Sequence, residues 1–234
     1  ATANFDTKEV GTGKKVTVSG FSFSNPTLAQ NYSWQTAYEN NNSSITPRPL
    51  DASIYIEVAV TSKTYDGSTT VAVPTLTIHG LLGGDSFKAI KTTATASFDN
   101  KDAGTGKTVI VTGFTFTNPT LAANYTWASS YSNNNSTIKP LDITITPDEG
   151  QVEMWNALEN SFTYSTNPAQ LPNNETLNGQ LDREPGIEVG KYAITQGRVT
   201  NENNPNYNIT FTPDVKFRIA SNIFLDLKWG YSVV

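Results

Sequence analysis

The sequence predicts an all-β chain of tandem antiparallel β-sandwich-like modules, each an elongated pair of sheets, arranged end to end as a rod. Three observations carry this. Phe5 to Pro47 aligns without a gap to Phe98 to Pro140, an offset of 93 residues, and 27 of the 43 positions are identical. A period that long belongs to stacked domains of one type rather than to a single enzyme fold. Runs rich in β-branched and aromatic residues recur between Gly, Asn, Asp and Pro clusters, and no stretch keeps a helical period.

In chain order, the first copy begins at Phe5, so it has no counterpart of Asp51 to Lys91 ahead of it, and the chain reads as a window cut from a longer array. Gly11-Thr-Gly-Lys14, like Gly104 to Lys107, reads as a glycine hairpin turn with a solvated lysine. Val16 and Val18 alternate in one phase, and Phe21 and Phe23 in the other. Keeping all four inward calls for an extra residue, so Gly20 and its copy Gly113 are expected to be β-bulges. Between these apolar positions stand Ser19, Ser22 and Ser24 in one copy and Thr112, Thr115 and Thr117 in the other, an outward hydroxyl face. Asn40 to Asn42 and Asn133 to Asn135 are expected to be tight loops, because asparagine tolerates left-handed angles and bonds its own backbone. Thr46 to Pro49 and Lys139-Pro140 are short, proline-stiffened linkers.

Further strands are expected at Ile54 to Val60, Val71 to His79, Phe87 to Phe98, Val109 to Phe116, Ile143 to Thr146, Tyr192 to Thr195 and Tyr207 to Thr212. After Pro140 the pattern changes. The division expected is therefore a half repeat at 1–50, a complete repeat at 51–140, a distinct β domain at 141–220, and a tail at 221–234 in which Ile223 to Lys228 alternates as a strand would.

Composition narrows the function. Charged residues are only 16% of the chain, and the net charge of −5 offers no basic footprint for a phosphate backbone, which argues against nucleic-acid binding. With no cysteine, neither disulfides nor thiolate-bound metal contribute. No apolar run approaches the length of a membrane span, so direct membrane insertion is not expected.

The middle unit carries Lys63-Thr-Tyr-Asp-Gly67, then Gly80 to Asp85, Ala96-Ser-Phe98, Gly104-Thr-Gly-Lys107, Val109, Val111 and Asn124-Tyr125. That order resembles the YDG repeat domain of bacterial surface adhesins and filamentous-haemagglutinin-like proteins. The third unit carries Leu177-Asn-Gly179-Gln-Leu181, Gly186, Val189-Gly190-Lys-Tyr192, Gly197 and Asn206-Tyr-Asn-Ile-Thr-Phe211. This looks like the MBG domain, a mostly-β module found after YDG repeats, with Met154-Trp155 where such modules often begin with a Lys-Tyr-Gly turn. The resemblance implies an extracellular protein attached to a bacterial cell surface, with stalk or adhesive modules.

Catalytic patterns are weak. Gly104-Thr-Gly-Lys-Thr108 lacks the first glycine of a phosphate loop, having Lys101 in that place, and Lys15 replaces the hydroxyl in the other copy. His79 is the single histidine, and its strand phase places it outward with Thr77, so a Ser-His-Asp triad has no support. Glu153, Glu159, Glu175, Glu184 and Glu188 show no pairing motif for glycoside hydrolysis. Asp51, Asp142, Asp148 and Glu149 fall at expected junctions, where calcium would find oxygen ligands, but their spacing fits no known loop. Lys63, Lys107 and Lys216 are available for a lysine–asparagine cross-link that the sequence does not specify.

Trp34 and Trp127, with Tyr32, Tyr38, Tyr125 and Tyr131, recur at matching positions and read as core or turn-corner residues. The non-recurring Trp155 and Trp229 suit an interface better. The expectation is a non-catalytic repeat region without cofactor or metal, acting as a stalk or adhesive surface and touching neighbouring repeats. The alternative is a carbohydrate or host-glycoprotein binding module with its contact site in 141–220. For that reading Trp155, Tyr164 and Tyr207 are the candidate ligand contacts, and the partners are host or microbial surface glycans or glycoproteins.

Overall fold

The computed structural model describes residues 1–155 and 161–221, and it is almost entirely β. The first strands are β1 (Thr2–Phe5), β2 (Gly11–Ser19), β3 (Ala37–Ile45), β4 (Arg48–Pro49), β5 (Tyr55–Val58), β6 (Ser62–Thr64) and β7 (Thr70–Val71). Next come β8 (Leu76–His79), β9 (Ala89–Ile90), β10 (Thr95–Phe98), β11 (Gly104–Thr112), β12 (Thr115–Phe116), β13 (Tyr125–Thr126) and β14 (Ser130–Lys139). The chain continues through β15 (Leu141–Pro147), β16 (Val152–Met154), β17 (Tyr164–Asn167), β18 (Asp182–Arg183), β19 (Gly190–Thr195), β20 (Tyr207–Phe211) and β21 (Lys216–Ala220). Two one-turn helices, α1 (Pro26–Ala29) and α2 (Pro119–Ala122), occupy the same place in the two copies. Each starts because an asparagine side chain, Asn25 or Asn118, accepts from the third helical amide while proline takes the first position, where its missing N–H costs nothing.

The chain divides into two compact units, the first Ala1–Val60, Thr70–Ser97 and Thr108–Asn134, the second Thr61–Thr69, Phe98–Lys107 and the chain from Asn135. In the first unit β1, β2 and β3 form an antiparallel sheet with β2 in the centre. The antiparallel pairs β5–β8, β7–β10 and β9–β12 and the parallel pair β4–β13 also belong to it, and β11 lies between β10 and β14. Its core gathers Ile54, Phe87, Ala122 and Tyr125, with Leu50, Ile78, Leu81, Phe116, Leu121 and Trp127 packed around them. In the second unit β15 lies between antiparallel β17 and parallel β20, and β16, β21, β19 and β18 form a second sheet. Strand β6 runs parallel to the end of β14, pairing Ser62, Lys63 and Thr64 with Thr137, Ile138 and Lys139. Alternation along β15 sends Ile143 and Ile145 into the core with Ile194, Phe217 and Ile219.

Several local expectations are corrected. The asparagine clusters are not loops: Asn40 to Asn42 lie in β3 and Asn133 to Asn135 in β14. The β2–β3 register slips between Lys14↔Ser43 and Val16↔Asn40, so the turn tendency of asparagine is absorbed by a bulge, where Asn42 N donates to Asn40 Oδ1. Gly20 and Gly113 are not bulges within a ladder; each follows the last residue of its strand, in left-handed backbone. After Gly113 the chain changes partner, and β12 pairs with β9. The Gly-Thr-Gly-Lys segments are strand, not hairpin turn, because the turn is made by the preceding residues 6–10 and 99–103. Nor is the second-copy lysine solvated: Lys107 is buried, its Nζ donates to Asn100 Oδ1, and it lies 3.7 Å from Asp99. Lys14 makes the matching bond to Thr7 Oγ1 at 2.6 Å. His79, by contrast, lies outward with Thr77 as expected, its side chain 37% exposed, stacked on Tyr55 at 4.7 Å and 2.9 Å from Glu57. The predicted tail strand Ile223 to Lys228, Trp229 and Glu159 lie outside the described residues.

Candidate functional site

The Tyr-Asp-Gly turn is where sequence motif and tertiary structure meet. Asp66 Oδ1 accepts from Ser68 N at 2.9 Å and from Lys63 Nζ at 2.7 Å, closing the turn on itself. Gly67 has φ +74°, and a Cβ there would collide with the Asn173 side chain, whose Nδ2 donates to Gly67 O at 2.8 Å. The turn thus fixes Tyr65, which is 1% exposed. Its hydroxyl donates to Glu175 Oε1 at 2.7 Å and accepts from Lys101 Nζ at 2.9 Å. Tyr207 OH donates to Glu175 Oε2 at 2.7 Å, Lys101 reaches Glu175 Oε1 at 3.2 Å, and the two tyrosine rings meet edge to face at 5.6 Å.

Burial by itself pushes the Glu175 carboxyl up, but the two phenol donors and the Lys101 ammonium outweigh it and hold the group below the usual carboxylate range. Tyr207 is held well above its ordinary value by burial and then by its bond to Glu175, and Tyr65 is raised for the same two reasons. The Lys101 ammonium is raised by its bonds to Tyr65 and then Glu175. Around this cluster Asn206 Oδ1 accepts from Ala103 N at 2.8 Å, and Asn206 O accepts from Leu141 N at 2.9 Å.

The first unit repeats this arrangement, with its lysine loop 93 residues earlier and its Asn-Tyr dipeptide 82 residues earlier. Lys8 Nζ reaches Asp85 Oδ1 at 2.6 Å, Tyr125 OH donates to Asp85 Oδ2 at 3.1 Å, and Asn124 Oδ1 accepts from Val10 N at 2.9 Å. Asn124 O accepts from Arg48 N at 2.8 Å, the counterpart of the Leu141 bond. Asn124 Nδ2 donates to Glu9 at 2.6 Å, as Asn206 Nδ2 does to Asp102 at 3.3 Å. The parallel pairs Tyr125↔Arg48 and Tyr207↔Leu141 are also equivalent. The Lys8 bond, then burial opposing it, leaves Asp85 below the usual carboxylate range, and burial raises Tyr125. In both places a loop with one lysine docks on an Asn-Tyr dipeptide and an acid. The polar groups are spent on one another, and among the described residues no buried side-chain N or O lacks a partner.

The sequence-predicted contacts do not assemble into one platform. Trp155 is exposed and its backbone N donates to Ala220 O, Tyr164 is half-buried on β17, and Tyr207 is buried with its ring against Tyr65. Tyr207 therefore presents no open face for a sugar, because the Glu175 bond requires its hydroxyl inside. The recurring tryptophans are turn-corner residues: Trp34 Nε1 donates to Ala29 O and Trp127 Nε1 to Ala122 O. Of the junction acids, Asp51 caps its own turn through Ser53 and Ile54 and Asp142 accepts from Asn208; among the described residues no three His, Asp or Glu groups gather as metal ligands. Of the acids weighed as catalysts, Glu184 accepts from Ala193 N. Sequence reasoning missed Lys8, Lys101 and Asp85, and took Glu175 only as one of several acids. The available signal was the shared Asn-Tyr dipeptide at 124–125 and 206–207, together with the unchanged lysine of the repeat.

The YDG domain model matches residues 1–39 and 46–134, more than half of the chain. The chain belongs to the YDG-domain family. An MBG domain (YGX type) model matches residues 143–216 behind the YDG region. No curated protein matches, and no solved structure does. In YDG terms, the motif tyrosine Tyr65 closes onto Glu175 and Tyr207 of the MBG segment, and the Lys8 loop of one YDG match closes onto Asp85 and Tyr125 of the next.

Proposed function

We propose that this chain is a non-catalytic extracellular repeat region of a bacterial cell-surface adhesin, in which interlocked YDG and MBG modules act as a stalk or an adhesive surface. The observation that carries the reading is the duplicated fastening, Lys8–Asp85–Tyr125 and Lys101–Glu175–Tyr207. A ligand site needs building once, whereas a device that joins successive modules must recur at each junction. Small-angle scattering tests the stalk: a single elongated, stiff particle supports it, and a flexible chain of independent beads overturns it.

A second reading, glycan or glycoprotein binding by 141–220, is favoured by one observation. Val152, Met154 and Trp155 are each about half exposed along one short strand and its end. Probing glycan and matrix-protein arrays decides it. Binding lost in Trp155→Ala supports contact there, while silence from folded protein leaves the stalk reading alone.

A further inference from the structure

The two copies of the repeat differ in what covers them. In the second copy the segment around Tyr65 is added as a strand: Thr137 N donates to Thr61 O, Tyr65 N donates to Lys139 O at 2.8 Å, and β6 lies along Thr137–Lys139. Subtracting the offset of 93 turns this receiving edge into Ser44, Ile45 and Thr46, and β3, which carries the first two, is an edge strand of its sheet among the described residues. The same subtraction turns Lys101 into Lys8 and Ala103 into Val10. Beside that edge is a pocket of about 280 Å³ whose lining includes Lys8, Ile45, Thr46, Leu82, Asp85 and Tyr125. Of these, Lys8, Asp85 and Tyr125 are the first-unit counterparts of Lys101, Glu175 and Tyr207, the side chains that meet Tyr65.

The apolar faces tell the same story. Phe98 is 3% exposed while its counterpart Phe5 is 44% exposed. Val109, Val111 and Ile138 are fully buried, whereas Val16, Val18 and Ile45 are only half-buried. An edge strand beside a half-open apolar face is a template for strand addition.

We propose that the Tyr125 pocket and the Ser44–Thr46 edge form a socket for a Lys-Thr-Tyr-Asp-Gly segment equivalent to Lys63–Gly67. The incoming backbone runs parallel to β3, and the incoming phenol enters between Lys8 and Asp85. The tyrosine is required for its hydroxyl, which donates to the carboxylate and accepts from the ammonium, and the glycine for the left-handed turn that follows. The inference stands on the geometry of the two copies, so it survives or fails independently of whether the modules form a stalk.

The test is to titrate the intact chain with an acetylated peptide of sequence TSKTYDGSTT, residues 61–70, carrying a photo-crosslinker at its N-terminus. Saturable binding with crosslinks to residues near Ile45 or Leu82 is the expected result. Replacing the peptide tyrosine by phenylalanine should weaken binding about tenfold, the loss of one charge-assisted hydrogen bond. Asp85→Asn in the chain should weaken it comparably, and the peptide variant keeps the test decisive if that chain folds poorly. Absence of binding, equal binding of the phenylalanine peptide, or crosslinks confined to residues 135–221 would each overturn the proposal.

Discussion

Removing a single oxygen from Tyr65 tests whether the polar cluster of the second unit holds it together. Tyr65→Phe keeps the ring, which is 1% exposed and packed against Tyr207, and deletes only the hydroxyl. Two interactions go with it: the 2.7 Å donation to Glu175 and the 2.9 Å acceptance from Lys101. A hydrogen bond to a charged group contributes about 1.5–3 kcal/mol. The Lys101 contact adds little, because that side chain is 43% exposed and solvent screens it. Glu175 keeps Tyr207 and Lys101, so its charge is not orphaned, and the expected loss is about 2 kcal/mol. Urea unfolding followed by tryptophan fluorescence should show the midpoint falling with an unchanged slope. A double-mutant cycle with Glu175→Gln should return a coupling of about 1–2 kcal/mol. A Tyr65→Phe chain within about 0.5 kcal/mol of the parent would refute the reasoning, since so small a change is typical of an exposed surface position.

Acid should weaken both fastenings. Glu175 and Asp85 have folded-state values below the usual carboxylate range, so their stabilisation is fully present above the ordinary carboxylate value and is lost as pH falls through the lowered values. Stability measured from pH 7 down to 2 should therefore decline below about pH 4.5, with a shallower decline in Glu175→Gln. Gly67→Ala should cost about 2–3 kcal/mol, combining left-handed strain with displacement of Asn173, whereas Gly20→Ala, with open space around it at φ +63°, should cost about 1 kcal/mol by thermal unfolding. Ile138→Ala should destabilise by about 2–5 kcal/mol because the site is fully buried, and Ile45→Ala by less than half of that because its counterpart position is half open.

Much of the fold was legible because it is written in local pattern. The repeat, the β-rich punctuation and the absence of helical period required only adjacent residues, and the alternation of Ile143 and Ile145 fixed which face of β15 is inward. The asparagine clusters were misjudged because strand preference depends on context: at Asn40 to Asn42 a bulged strand accepts asparagine that a regular one would reject. The one-turn helices were missed because a single turn carries no period, although Asn-Pro-Thr-Leu-Ala holds both cap and first-turn signals. The candidate site lay furthest from view, since Tyr65 and Glu175 are 110 residues apart and neither carries a motif for the other.

By itself the sequence determined the module type, the period and the β-rich alternation, because each depends on short-range sterics and on a side-chain pattern that repeats down the chain. Only the tertiary structure decided which lysine meets which acid, that Tyr207 turns inward, and that one copy is covered where the other is half open. Those outcomes depend on which distant strands share an edge, and a buried polar group keeps its place only when the fold brings every one of its partners within hydrogen-bonding distance.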